Sequence, residues 1–421
     1  MTALQHIFGP IGALWLTATV SGQPPAANDT PPQAAAYERW VHPLHLAPSE
    51  RRLFDAIQSW AGRAGLRVII DPRLTHAARA LLPYVPRQAG ETIDLNRARA
   101  LAQGWGCTDG QLAAIAIRIP QNQSAEQAVV AQLETQQPPL TINRFGLAES
   151  AAGGESTAIV LLSRRLLQLM PLSARVRANQ EVVVAGRLAT GVQSSATQVQ
   201  VLVGLEQGRV QRLVPVVHNQ QFEQRLRVPG TVGTIDVQLL VDSGRGPEVA
   251  ALFPIGVGCN PRPAAASSEP SASPGAPLDA AQIEQALVSL ILGARQAQDL
   301  PLPAESALLT ETARAHALDM ETHGFFAHVS PSSGDVTDRL RSRGVHYRKV
   351  LENLAVASTA EEIFQDWMAS PAHRANLLDP QADFVGVGVA LVPDRAVPSA
   401  YAVAVLARLD ESIPTQGPAE P

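Results

Sequence analysis

The strongest constraint in this sequence is that it repeats itself. Leu53–Leu81 (LFDAIQSWAGRAGLRVIIDPRLTHAARAL) and Ala286–Leu318 (ALVSLILGARQAQDLPLPAESALLTETARAHAL) both read as helix, turn, helix. Ser124–Leu133 (SAEQAVVAQL) then matches Thr359–Met368 (TAEEIFQDWM). Each copy closes as strand, polar turn, strand: FGLAESAAGGESTAIVLLSRR against VGVGVALVPDRAVPSAYAVAVLAR. Three matches in one order predict a duplicated unit of about 120 to 130 residues. Both copies place helices ahead of strands, so the expected fold class is α+β.

Between the copies the hydrophobic period changes from helical to alternating. Val199, Val201, Val203 and Leu205 form one alternating run, Phe222, Leu226 and Val228 lie in a second, and Ile235, Val237, Leu239 and Val241 form a third. Turn signals separate them at Glu206-Gln207-Gly208, His218-Asn219, Pro229-Gly230 and Ser243-Gly244. Six or seven short strands over Arg175–Gly258 predict an antiparallel β-sandwich of immunoglobulin-like kind, without the Cys-Trp-Cys pattern of a true immunoglobulin domain. The stretch Pro261–Pro277 (PRPAAASSEPSASPGAP) carries no apolar periodicity and reads as a linker. Asp279 and Gln282 then form a capping pair ahead of Ile283, Ala286, Leu287, Leu290 and Ile291, which share a helix face. The expected order is a signal peptide at 1–22, a disordered leader at 23–47, a first α+β unit at 48–168, a sandwich at 169–259, a linker at 260–278, a second α+β domain at 279–410 and a disordered tail at 411–421.

Ile7–Val20 is apolar but interrupted by Gly9, Pro10 and Gly12. It is too short for a bilayer span, which needs about 20 residues, and fits the core of a signal peptide, although no Lys or Arg precedes Arg39. The expectation is export, to the medium or the periplasm and cell envelope, with no transmembrane span. A net charge of −5 argues against nucleic acid as a partner. Lys349 is the only lysine, so lysine chemistry is confined to one position. Cys107 and Cys259 can make at most one bridge, and their spacing leaves open whether they meet.

Ionisable residues gather in the C-terminal copy. A helix face of Leu309, Ala313, His316, Ala317 and Met320 runs to a C-cap at Gly324, with His323 expected to extend the same stripe and His316 to serve packing. Beyond it lie His328 in GFFAHVSP, Glu352 in LENLA and His373 in DWMASPAHRANLL. Ser370 before Pro371 is a helix N-cap, which puts His373 at N3, where the helix dipole favours a neutral ring. Glu361 and Glu362 complete capping boxes with Ser358 and Thr359. Ser330 points away from His328 if the segment is extended.

Together GFFAHVSP, LENLA, DWMASPAHRANLL and FVGVGVAL resemble the CAP superfamily (SCP/TAPS) of cysteine-rich secretory, antigen 5 and pathogenesis-related proteins, in its bacterial branch. The resemblance covers about 130 C-terminal residues and implies an α-β-α sandwich. It also implies a cleft of two histidines and two glutamates able to hold a divalent cation such as zinc. His328, Glu352 and His373 match three of the four, with His328 and His373 as the metal candidates, and Ser370 stands where the second glutamate is expected. Three functions stay open. One is a module that binds a small molecule, a lipid or a cell-envelope component. Another is a hydrolase with Glu352 as candidate catalytic base or a metal-bound hydroxide. The last is a scaffold in which the trio is a buried network. The missing glutamate leans the reading away from an enzyme. No histidine lies between His76 and His218, and Pro138 falls near the place of a second histidine, so the N-terminal copy reads as a degenerate CAP-like unit.

Overall fold

The computed structural model describes residues 34–39, 41, 44–85, 93–120, 123–135, 141–152, 155–189, 192, 198–205, 209–242, 246–262, 279–392 and 399–410. The signal-peptide core, most of the linker, the tail, Pro138 and the turns at 206–208 and 243–244 lie outside the described residues.

After β1 (Ala36–Tyr37), the first unit comprises α1 (Pro48–Arg63), β2 (Ile69–Ile70), α2 (Pro72–Leu81), α3 (Leu95–Gly104), β3 (Gln111–Pro120), α4 (Ala125–Glu134), β4 (Arg144–Ala152) and β5 (Glu155–Arg164). Its sheet runs β2-β4-β5-β3. Apolar side chains at alternate positions of β3 face opposite layers. Ile115 and Ile119 meet α1 and α4, whereas Leu112, Ala114 and Ala116 meet α2 and α3.

The C-terminal part follows the same plan. It consists of α5 (Ala280–Gln296), β15 (Ala304–Glu305), α6 (Ala307–His323), α7 (Val336–Ser342), β16 (Tyr347–Ala357), α8 (Ala360–Ala369), α9 (Pro371–Leu377), β17 (Phe384–Val392) and β18 (Ser399–Leu409). The sheet order is β15-β17-β18-β16. One layer packs α5, α8 and α9 through Ile283, Leu287, Ile291, Ile363, Trp367 and Leu377. The opposite layer packs α6 and α7 through Leu309, Ala313, Ala317, Met320 and Leu340. The result is an α-β-α sandwich.

The two sheets correspond strand for strand. In each, a two-residue strand pairs in parallel with the penultimate strand, at Ile69↔Arg144 and Ala304↔Phe384. The third residue of that penultimate strand is a glycine against the following helix. A Cβ on Gly146 would lie 2.2 Å from the Leu74 backbone, and one on Gly386 would lie 2.3 Å from Thr310 N. Only glycine lets helix and sheet approach so closely.

The middle region holds seven strands over 175–258: β8 (Arg175–Val176), β9 (Glu181–Leu188), β10 (Gln198–Gly204), β11 (Val210–Leu213), β12 (Gln221–Arg227), β13 (Gly233–Asp242) and β14 (Pro247–Val257). They are preceded by β6 (Leu167–Leu169) and β7 (Leu172–Ser173). A sheet ordered β11-β10-β13-β14-β8 faces one ordered β12-β9-β6 across a core containing Val199, Val201, Phe222, Leu226, Val237 and Phe253. The alternating runs thus face inward as their period requires. The pairing is antiparallel except for the two-residue β14–β8 contact, which is parallel.

Several expectations are corrected. The leader is not disordered through residue 47. β1 pairs with β7, and Tyr37 lies in the sandwich core, its hydroxyl donating to Pro254 O at 2.7 Å. Glu38 accepts two hydrogen bonds from Arg165, at 2.8 and 3.0 Å, and Arg165 Nε reaches Asp109 at 2.7 Å. One apolar ring and one paired acid suffice to order a stretch whose composition reads as leader. Cys107 and Cys259 are both free, Cys259 donating to Gly233 O instead.

Candidate functional site

Within the C-terminal sandwich β16 is an edge strand, and its alternation sends neighbouring residues to opposite helical layers. Glu352 belongs to the α6/α7 side and Asn353 to the α9 side. Glu352 is buried, and both of its oxygens are taken. Oε1 accepts from His328 Nδ1 at 2.9 Å, and Oε2 is ion-paired with Arg339 Nη2. Burial pushes this carboxyl up, but the His328 hydrogen bond and the charges of His328 and Arg339 outweigh it and hold it below its ordinary value.

Arg339 is the residue that sequence reasoning missed. It lies on α7 beside Leu340, and besides Glu352 it donates to His328 O at 3.2 Å and Gly334 O at 2.7 Å, fastening the His328 loop. The signal was present, since Val336, Arg339 and Leu340 fall at i, i+3 and i+4 and put a cation on the apolar face.

On the other side of β16, Asn353 donates to His373 O at 2.9 Å and accepts from Asn376 Nδ2 at 2.9 Å. Ser370 ends α8 and caps α9, its Oγ accepting from His373 N at 3.4 Å, so the expected N3 placement of His373 holds. Burial, with His328 nearby, pushes the His373 imidazole down to about 3, so the ring is neutral. Thr359 and Glu362 form the expected capping box of α8, and Glu362 also accepts from Ser358 N.

The remaining candidates are structural. His316 is buried, bonds Ala327 O through Nε2 at 3.0 Å, and is held below its ordinary pKa chiefly by burial. His323 does not extend the buried stripe: it is exposed and pairs with Asp319 at 2.8 Å, as the last residue of α6 beside the left-handed Gly324. Ser330 donates to Asp319 at 2.5 Å and accepts from the backbones of Ser332 and Ser333. It closes a turn.

His328 and Glu352 are brought into direct contact, and His373 lies close enough to His328 to feel its charge. They do not make a cation site. Among the described residues no three His, Cys, Asp or Glu side chains are grouped to hold a metal. The one carboxylate is already committed to a histidine and a guanidinium, and Ser370 supplies a hydroxyl in place of a second. This donor set does not fit a divalent ion.

A three-layer α-β-α domain with a His-Glu-Arg cluster on its edge strand is thus what this part of the chain builds. Residues 288–406 match the cysteine-rich secretory protein family (CAP). It is 35% identical over 126 residues to the protein YkwD of Bacillus subtilis (strain 168), covering 30% of this chain and 49% of YkwD. It is 34% identical over 80 residues to the B. subtilis membrane protein YlbC, covering 19% of this chain and 23% of YlbC. The chain therefore spans about half or less of these relatives. An extracellular SCP-domain protein from Bacillus anthracis str. Ames is 19% identical with a TM-score of 0.28, over 57% of this chain and 85% of that one. Among the described residues no helix is long and apolar enough to cross a membrane.

Proposed function

We propose that the chain is an exported binding protein of the cell envelope, in which the CAP domain takes a ligand or partner at the His328–Glu352–His373 cluster and performs no hydrolysis. The observation that carries this reading is the double engagement of Glu352 by His328 and Arg339. A buried carboxylate held ionised by a histidine and a guanidinium is a poor general base, since those donors and its lowered pKa weaken its pull on a proton from water. His373 is neutral, and the Ser330 hydroxyl is taken up in a turn with Ser332 and Ser333, which argues against its use as a nucleophile. The first α+β unit is, on this reading, a degenerate CAP-like copy kept for architecture, and the sandwich an immunoglobulin-like spacer.

The test is co-sedimentation of the full chain with purified cell-wall sacculi and with lipid vesicles. Wild type is expected to sediment with one of them and the His328→Ala/His373→Ala double variant to remain soluble. Absence of binding to both, by wild type and by variants that expose the cluster, would remove the binding reading. Turnover of a peptide, ester or polysaccharide that is lost in Glu352→Gln would restore the hydrolase.

A scaffold reading has one observation of its own, the Asn353–Asn376–His373 hydrogen bonds that tie α9 to β16. It requires that the same double variant lose thermal stability, because buried polar groups left without partners cost about 1–3 kcal/mol each.

A further inference from the structure

The outward face of the five-stranded sheet of the sandwich does not look like a solvated face. Strands in such a sheet ordinarily alternate apolar inward with polar outward. Here Leu202, Leu240 and Leu252 are buried although their odd-numbered neighbours supply the sandwich core. Gln238 lies among them, paired in register with Leu202 and Leu252, and is 0% exposed. A buried amide needs partners for both of its ends. Gln238 finds both in the CAP domain: Nε2 donates to Ser370 Oγ at 2.8 Å and Oε1 accepts from Ala372 N at 2.8 Å.

Two residues before it, Asp236 faces the same way and lies 3.6 Å from Arg374 Nη2. Opposite Asp236, Gly204 leaves room for that guanidinium, since a Cβ there would sit 2.6 Å from Arg374 Nη2. Gly246, at the start of β14, completes the contact. Its φ of +92° is unfavourable for any side chain, and a Cβ would come within 3.1 Å of His328 Cβ and 3.5 Å of Val329 Cγ2. Three separate pieces of the sandwich therefore reach the segments that carry His328 and His373.

We propose that the β-sandwich is a built-in partial cover over the CAP cluster, latched by Gln238, which leaves the His328 side chain 23% exposed, and that the cluster opens fully to a ligand when the sandwich moves aside. This rests on the binding reading above and adds its regulation: the resting protein is the closed form. Gln238 and Asp236 can exchange their CAP partners for water, so the latch is reversible. The N-terminal unit lends a third attachment, as Arg99 of α3 lies 3.8 Å from Asp366 of α8.

The test is diethyl pyrocarbonate labelling of the intact chain, read histidine by histidine by mass spectrometry, with exposed His346 as the internal reference. The probe needs no ligand, so its result is independent of whether sacculi or vesicles bind. A closed form favoured about ten to one slows labelling of His328 and His373 about tenfold relative to His346. Gln238→Ala and, separately, Gly246→Val are expected to bring both rates toward that of His346 with the far-ultraviolet circular dichroism unchanged. Two independent latch variants guard against one of them failing to fold. Labelling of His328 and His373 in wild type as fast as His346 would overturn the cover. So would protection that persists in a folded latch variant, which would assign the shielding to the CAP domain alone. Closed-form labelling with no binding to sacculi or vesicles by the latch variants would leave the cover standing and sink the binding reading.

Discussion

The two α-β-α units share a topology and differ in what they carry. Tracing the register across each sheet, Gly386 pairs with Val405 and Val405 with Glu352, while Gly146 pairs with Leu161 and Leu161 with Ala114. Glu352 thus occupies the place of Ala114, and Asn353, one residue on, that of Ile115. Where the C-terminal unit has an acid, a histidine and an arginine, the N-terminal one has a methyl group in an apolar layer. Its own buried charges lie elsewhere, in Glu50 of α1, paired with Arg79, and in the Glu38, Asp71, Asp109, Arg165 set where the N-terminal arm joins. The fold is carried by apolar spacing and one glycine, and the polar cluster is separable from it.

The sharpest break of that comparison is charge deletion. Arg165→Leu leaves Asp109 buried without its cation and Glu38 with only Arg73 at 3.5 Å, and is expected to cost about 3–5 kcal/mol by urea denaturation; Arg339→Leu, which leaves Glu352 with His328 alone, should cost a similar amount. Removing the acid as well, in Arg339→Leu/Glu352→Ala, makes the C-terminal unit resemble the N-terminal one and should recover most of the loss. If it does not, the two units are not interchangeable at this place.

Next in size are Gly146→Val and Gly386→Val. Both drive a side chain into helix backbone and should destabilise by about 3 kcal/mol, equally if the helix-on-glycine contact does the same job in each unit. Helix caps should differ more finely. Ser124→Ala removes one cap and is expected to cost about 1 kcal/mol. Ser370→Ala removes a cap and the Gln238 partner, for about 2 kcal/mol.

The smallest effect is a pH slope. Burial raises the Asp71 carboxyl, but Arg73, Arg165 and Arg144 together bring it below its ordinary value. The unfolded chain therefore binds more protons there in acid. The stabilisation is complete above the ordinary carboxylate value of about 4 and is lost as pH falls through the folded one. Asp71→Asn should flatten the acid limb of the stability curve, whereas Ala114→Val, in the apolar counterpart of the Glu352 site, should leave that limb unchanged.

Local features were legible in the sequence. Asp279, Ser370 and Gly324 announced helix ends, alternation placed the inward faces of β10 and β13, and the repeated segments announced two matching sheets. What escaped were partners distant in the chain. Arg165 meets Glu38 across 127 residues and Gln238 meets Ser370 across 132. No periodicity spans such distances, and Gln238 looked like any polar residue between valine and leucine. The missed Arg339 differs, because its place on an apolar helix face was readable.

The N-terminal arm also sets a schedule. Tyr37 and Glu38 leave the ribosome ahead of their partners at Pro254 and Arg165, which follow 217 and 127 residues later. At synthesis rates of about 5–20 residues per second, the arm waits seconds or longer for them. Contacts of such sequence separation close late, after the local helices and hairpins have formed. The arm is thus made before the strands that hold it and is tied down late, and an arrested chain that stops short of β14 would carry it loose.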